Sequence, residues 1–108
     1  MGETISALYN VILKRKTEGE DGSYTKYLFE KGTDKILKKV GEECTEVIIS
    51  CKDDNKEEQI NEICDLTYHV LVLMAQLGIS VEEVSTELET RKNKINNFKG
   101  ERKPVNNV

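Results

Sequence analysis

The chain has 108 residues, of which 33% are charged, and its net charge at pH 7 is −4. This length suits one small domain, and acidic and basic residues are mixed without a basic block, so the composition argues against a nucleic acid partner. No stretch approaches the ~18 uninterrupted apolar residues of a membrane-spanning helix, and the first residues, MGETISALYNVILKRK, lack the order of a signal peptide.

We therefore expect a cytoplasmic protein with no membrane partner. Residues 1–99 are expected to form one domain, and residues 100–108 a flexible tail. Because so small a domain is short for a complete enzyme pocket, a second copy of the chain is expected to complete any site.

Apolar residues recur every three or four positions, which predicts an all-α antiparallel bundle of four to five helices. The helices are expected from about Thr4 to Arg15, Tyr24 to Glu30, Thr33 to Lys52, the residue after Asn55 to Leu77, and the residue after Ser80 to near Asn96. The first helix should bury Ile5, Leu8 and Ile12. Ser23 is a candidate N-cap, Asn55 and Ser80 each begin a capping-box pattern, and Gly32 and Gly78 are stop signals.

Three cysteines, Cys44, Cys51 and Cys64, are present, and none forms a Cys-x-x-Cys pair. We expect them to be small buried apolar residues rather than a disulfide framework or a redox pair.

The third helix separates into an apolar and a charged face. The apolar face holds Ile36, Leu37, Val40, Cys44, Val47, Ile48 and Cys51. The other face holds Lys35, Lys39, Glu42, Glu43, Glu46 and Ser50. Taken alone, a charged helical face of this kind is usually only solvated.

The fourth helix is apolar around nearly its whole circumference, which predicts a central helix covered on most sides. Its narrow polar stripe contains Glu62, Asp65, His69 and Gln76. His69 is best read as a core histidine, with support of Asp65 as the alternative. If this stripe faces Glu43 and Glu46, the carboxylates converge and raise one another's pKa unless a cation lies between them. Oxygen ligands suit Mg²⁺ or Mn²⁺ and point to phosphate chemistry, whereas the Glu-x-x-His pattern of di-iron proteins is absent.

Glu42-Glu43-x-x-Glu46 followed by Glu62-x-x-Asp65 resembles the signature of the MazG-like all-α nucleoside triphosphate pyrophosphatases. Two longer segments, GSYTKYLFEKGTDKILKKVGEECTEVIISCK (22–52) and EICDLTYHVLVLMAQLGIS (62–80), are similar to the phosphoribosyl-ATP pyrophosphohydrolase family of histidine biosynthesis. The resemblance extends from about Thr4 to Arg91.

The resemblance implies a homo-oligomer that hydrolyses phosphoribosyl-ATP with Mg²⁺, with Mn²⁺ as a further possibility, to phosphoribosyl-AMP and pyrophosphate. It implies that Glu43, Glu46, Glu62 and Asp65 are metal ligands. Glu42 becomes an outer acid or the group that orients the attacking water, and the spacing does not decide which carboxylate is the base.

Five residues are candidate substrate contacts: Lys35, Lys39, Ser23, Thr25 and Arg91. Each has a structural alternative. The lysines can pair with Glu42 and Glu43, Ser23 and Thr25 can cap a helix, and Arg91 can complement a helix dipole.

Two other functions stay open at this point. A house-cleaning pyrophosphatase of the same superfamily would use the same metal chemistry on other nucleoside triphosphates. A non-catalytic helical interaction module would leave the paired acids on an apolar helix unexplained. Ile49, which projects away from the main apolar face of its helix, favours a homodimer or larger assembly in either case.

Overall fold

The computed structural model describes residues 1–94, and the elements in that range are five helices without a strand. They are α1 (Gly2–Glu18), α2 (Tyr24–Lys31), α3 (Thr33–Ser50), α4 (Lys56–Leu77) and α5 (Val81–Lys92). The predicted all-α fold is therefore confirmed. The predicted domain end at residue 99, the tail from 100 to 108 and the predicted end of the fifth helix near Asn96 lie outside the described residues.

The helix ends follow the capping residues of the sequence. The Ser23 hydroxyl accepts a hydrogen bond from the Lys26 amide, and at Ser80 both bonds of a capping box with Glu83 are formed. Asn55 accepts from the Glu58 amide, but the return bond from Glu58 is absent among the hydrogen bonds of residues 1–94. Gly78 ends α4 with φ of 74°, a conformation that glycine adopts without strain.

A small core forms where α1, α2, α3 and α4 meet. Its buried residues are Tyr9, Ile12, Leu28, Ile36, Leu71, Val72 and Ala75. The predicted burial of Ile12 is confirmed, Ile5 is partly buried against the core, and Leu8 remains 37% exposed. The physical reason is that α1 turns Tyr9 and Ile12, three residues apart on one face, toward the core and leaves Leu8 at its margin.

Helices α3 and α4 pack more extensively against each other than any other pair in the described chain. The Gln76 amide of α4 donates to the Thr33 hydroxyl at the start of α3, and Glu43 in the middle of α3 lies beside Glu62 and Asp65 of α4. Positions along α3 thus rise as positions along α4 fall. The two helices are antiparallel, as the short connection between them predicted.

Several predicted core residues are uncovered within one protomer. All three cysteines are exposed, as are Leu37, Ile48, Ile60 and Ile63. The prediction that they are buried is wrong within residues 1–94, because these side chains lie outside the contact between α3 and α4 and no other described helix covers them. These apolar side chains follow the predicted helical spacing, but the part of the chain that the structure describes leaves them exposed.

A second uncovered apolar surface is a groove of about 960 Å³ between α1, α4 and α5. Ile5, Leu66, Val70, Met74 and Val84 contribute to its walls.

Over residues 1–94 no single helix has the length and apolar composition to cross a membrane. Helices α4 and α5 reach that length and composition only when they are taken together across a 113° bend.

Candidate metal and catalytic site

Three carboxylates converge where α3 and α4 pack. Glu43 from α3 and the pair Glu62 and Asp65 from α4 place one oxygen each within 4.8 Å of one another. The spacing of three residues puts Glu62 and Asp65 on one face of α4, and the antiparallel packing brings Glu43 to that face. The predicted meeting of the two acidic stripes thus occurs for these three residues.

Partial burial and the crowding of negative charge raise the pKa of Glu62 above its ordinary value of 4.5. Partial burial is the largest cause, and the charges of Asp65, Glu43 and Glu46 follow. Both effects disfavour the ionised carboxylate. A cation bound here would reverse the second effect, since it would turn like-charge repulsion into shared attraction.

Lys39 supplies positive charge at the border of the three carboxylates. Its ammonium lies 3.3 Å from the Glu42 carboxylate and 3.7 Å from that of Glu43. Burial lowers the pKa of Lys39, but the hydrogen bond to Glu42 and the neighbouring charges outweigh it and leave that pKa raised. Lys39 therefore stays charged and partly offsets the acids.

The other two predicted acids lie further from the centre. Glu46 is one turn beyond Glu43 and is exposed; it contributes its charge to Glu62 without joining the three closely spaced oxygens. Glu42 is exposed and bound to Lys39. A single protomer thus presents three near oxygens and two acids at their edge.

Helix α2 is joined to α4 next to this site by two side-chain hydrogen bonds. The Tyr24 hydroxyl lies 2.9 Å from Nε2 of buried His69, and the Thr25 and Tyr68 hydroxyls bond to each other. Thr25 is itself buried, so its hydroxyl is engaged within the protomer. Ser23 caps α2 through its hydroxyl, which agrees with the capping role considered for it.

The two remaining candidate substrate contacts, Lys35 and Arg91, form no hydrogen bond or ion pair with the three carboxylates among residues 1–94. Lys35 is partly buried on α3, and no ion pair involves it among residues 1–94. Arg91 is exposed on α5, where it forms an ion pair of 3.2 Å with Glu87 one turn earlier. Helix α5 packs mainly on α1, not on α3. Within one protomer Arg91 is therefore not grouped with the acids.

The donor set fits a hard divalent cation. All three converging side chains are carboxylates and all are partly buried, and the neighbouring acids add to the effect of burial in raising the pKa of Glu62; a cation would relieve that repulsion between acids. Softer metals prefer sulfur or imidazole ligands. The cysteines lie outside the group, and both ring nitrogens of His69 are already bonded.

Comparison with known proteins identifies the family. A model described as phosphoribosyl-ATP pyrophosphohydrolase matches residues 5–92. The chain belongs to the phosphoribosyl-ATP pyrophosphohydrolase family. This confirms the resemblance found in the sequence.

Individual relatives agree along nearly their whole length. A protein of Clostridium acetobutylicum named phosphoribosyl-ATP pyrophosphatase is 60% identical over 106 residues, which cover 98% of this chain and 96% of the relative. Proteins of the same name from Clostridium novyi and Listeria innocua are 52% and 54% identical; the first alignment covers 98% of this chain and 96% of the relative, and the second covers 96% and 99%.

The sequence analysis of this phosphoribosyl-ATP pyrophosphohydrolase family member did not predict the hydrogen bond between Tyr24 and His69. His69 was considered as a support for the Asp65 carboxylate, but its Nδ1 lies 2.7 Å from the Asp65 backbone carbonyl and its other nitrogen bonds to Tyr24. The four-residue spacing from Asp65 to His69 was a visible signal. The bond to Tyr24 crosses 45 positions and has no local signal.

Proposed function

We propose that this protein hydrolyses phosphoribosyl-ATP between its α and β phosphates and releases phosphoribosyl-AMP and pyrophosphate, an early step of histidine biosynthesis. Membership of the family supports the substrate. The observation that carries the proposal is the convergence of Glu43, Glu62 and Asp65 at partly buried positions on two packed helices. Such an arrangement costs stability unless it has a cationic partner.

The proposed cofactor is Mg²⁺, with Mn²⁺ as an alternative. Glu43, Glu62 and Asp65 would hold it, and Glu46, one turn further along α3, is proposed as a fourth ligand. When bound, such an ion neutralises phosphate charge and lowers the pKa of a coordinated water. The chain itself supplies the fixed spacing of the carboxylates.

The remaining roles belong to residues at the edge of the three acids. Lys39 is proposed to contact a phosphate oxygen, because its ammonium already borders the site and accommodates anionic partners. Glu42 is proposed to orient the attacking water, and a nearby carboxylate to accept its proton. The water oxygen bonds to phosphorus as the phosphoanhydride bond between the α and β phosphates breaks and pyrophosphate leaves. Ser23, Thr25 and Lys35 are proposed as outer contacts. For Thr25 this requires release of its bond to Tyr68.

The functional unit is proposed to be a homodimer or larger homo-oligomer acting in the cytoplasm. Exposed Ile48, Ile60 and Ile63 next to the acids, and the apolar groove between α1, α4 and α5, support burial against a second copy. Arg91 is proposed to reach the substrate from that second copy, since its own helix does not pack against α3.

The test is pyrophosphate release from phosphoribosyl-ATP by the purified chain, with Mg²⁺, with Mn²⁺ and with a chelator. We expect hydrolysis with either metal, none with the chelator, and a preference for phosphoribosyl-ATP over ordinary and noncanonical nucleoside triphosphates. A preference for the simple triphosphates would instead identify a house-cleaning enzyme. Absence of hydrolysis of every triphosphate would favour the non-catalytic module.

A further inference from the structure

Buried His69 fixes the direction of a hydrogen-bond chain that ends on Tyr24. Its Nδ1 lies 2.7 Å from the Asp65 backbone carbonyl, which can only accept, so Nδ1 carries the proton. In the neutral imidazole Nε2 is then an acceptor. It takes the single hydroxyl proton of Tyr24, 2.9 Å away. The phenolic oxygen of Tyr24 is left with lone pairs and no proton to donate.

The ring of Tyr24 is held in place as well as its hydroxyl. It packs against Tyr27 and Tyr68 with ring centroids 6.1 and 6.3 Å apart, and edge-on against His69 at 5.7 Å. Although 44% of Tyr24 is exposed, its ring has neighbours on both α2 and α4. These neighbours and the bond to His69 orient its acceptor oxygen.

The register of α3 and α4 places Lys39 on the turn of α3 that faces the His69 turn of α4, to which Tyr24 is bonded. Thr33 bonds to Gln76, and Glu43 lies beside Glu62 and Asp65. Between these two points, Lys39 falls opposite the turn of α4 that contains His69. In agreement, the charge of Lys39 is among the influences on the pKa of Tyr24, after the larger effect of burial.

Lys39 needs a further acceptor when the proposed site is filled. In the described protomer its partners are Glu42 and Glu43, and Glu43 is one of the proposed metal ligands. A carboxylate that binds a cation is a poorer partner for an ammonium group, because its charge is shared. An oxygen that can only accept matches an ammonium group, which can only donate.

We propose that Tyr24 is a positioning residue that accepts a hydrogen bond from Lys39 and aims its ammonium at the substrate phosphates, with the orientation of Tyr24 set by His69. The inference rests on the proposed function, because it assigns Lys39 to phosphate binding. Nothing in this role requires Tyr24 to touch the substrate.

The experiment is a double-mutant cycle on phosphoribosyl-ATP hydrolysis with Tyr24→Phe, Lys39→Met and both together. Tyr24→Phe removes one oxygen and keeps the ring, so we expect kcat/KM to fall roughly tenfold, the lower end of the range for a hydrogen bond from a charged donor. Lys39→Met should lower it by about 10- to 100-fold, and both variants should change the same parameter, KM or kcat. The double variant should be no worse than Lys39→Met alone.

Two further variants separate positioning from general damage to the fold. Tyr27→Phe changes a neighbouring tyrosine with no hydrogen bond to His69, and we expect unchanged kinetics. His69→Leu removes the acceptor for Tyr24 and should reproduce the Tyr24→Phe effect, again with no added loss in the Lys39→Met background. Melting temperatures report the stability of each variant.

Three results would overturn the inference: normal kinetics for Tyr24→Phe, losses that multiply in the double variant, or equal losses for Tyr27→Phe. Each presupposes an active wild-type chain. If the wild type does not hydrolyse phosphoribosyl-ATP, the proposed function fails and this role fails with it. The two failures are thus distinguishable in one set of measurements.

Discussion

The two halves of α4 differ in burial and in charge. In its second half Leu71, Val72 and Ala75 are buried in the core of the protomer. In its first half Ile60 and Ile63 stay exposed, and Glu62 and Asp65 point to a cluster of like charges. The second half thus packs within one chain, whereas the first half carries exposed apolar side chains and closely spaced carboxylates.

The same contrast separates the polar groups along this helix. His69 and Gln76 in the second half have partners within the protomer, on α2 and α3. The carboxylates of the first half have mainly one another, with Lys39 at the border. Closely spaced like charges at one position, in a protein whose other polar groups have partners, indicate a functional site at that position.

The largest expected effect is the loss of activity when a carboxylate in the first half of α4 is removed. Glu62→Gln or Asp65→Asn should lower kcat/KM for phosphoribosyl-ATP by about 10²–10³-fold, because each removes a negative ligand of the proposed metal. Pyrophosphate release measures the loss, and circular dichroism should show the helices intact. Glu57→Gln, an exposed acid of the same helix outside the cluster, is the matched control. Full activity of the Glu62 variant at ordinary Mg²⁺ concentrations would refute the metal assignment.

The second effect is the loss of stability when a core side chain in the second half of α4 is truncated. Leu71→Ala should cost about 2–5 kcal/mol of unfolding free energy, since it leaves a cavity in the core. Urea unfolding measures this cost. Thr67→Ala, on the preceding turn of α4, removes a side-chain bond to its own helix backbone and should cost much less. Equal losses of unfolding free energy for Leu71→Ala and Thr67→Ala would contradict a special contribution of the second half of α4 to the core.

Sequence reasoning recovered what depends on local chemistry. Ser23, Asn55, Ser80, Gly32 and Gly78 set the helix ends because capping is decided within a few residues. The meeting of Glu43 with Glu62 and Asp65 was also predictable, since a short connection forces antiparallel packing and i, i+3 spacing shares a face.

What was not predictable depends on distant or missing neighbours. Burial of Cys44 and Cys64 was predicted from their apolar positions, but no helix within residues 1–94 covers them. Periodicity indicates which face is apolar and does not say which chain covers it. The pairing of Tyr24 with His69 likewise depends on how α2 docks on α4.

The third effect concerns the exposed apolar residues of the first half. If a second copy covers them, Ile63→Lys should shift the protein toward the monomer and lower its activity, because a charge would be buried in the interface. Light scattering coupled to gel filtration measures the change. Glu57→Lys places the same charge on an exposed acidic position and is the control. A wild-type chain that is fully active as a monomer would contradict the proposed assembly.

The smallest expected effect is the pH dependence of the metal-free protein. The folded pKa of Glu62 is raised above its ordinary value of 4.5 by burial and by Asp65, Glu43, Glu46 and Glu58, so the folded state binds the proton more tightly than the unfolded chain does. This contribution to stability is fully present below the unfolded pKa. It is lost as the pH rises through the raised folded pKa.

Melting temperatures of the wild type and Glu62→Gln in a chelator measure this contribution, because the other carboxylates titrate in both proteins. We expect the Gln variant to gain stability relative to the wild type as the pH rises from about 4.5 toward 7. Added Mg²⁺ at pH 7 should reverse the order, since only the wild type keeps all the proposed ligands. A difference between the two proteins that is constant with pH and insensitive to Mg²⁺ would mean that Glu62 is an ordinary solvated acid.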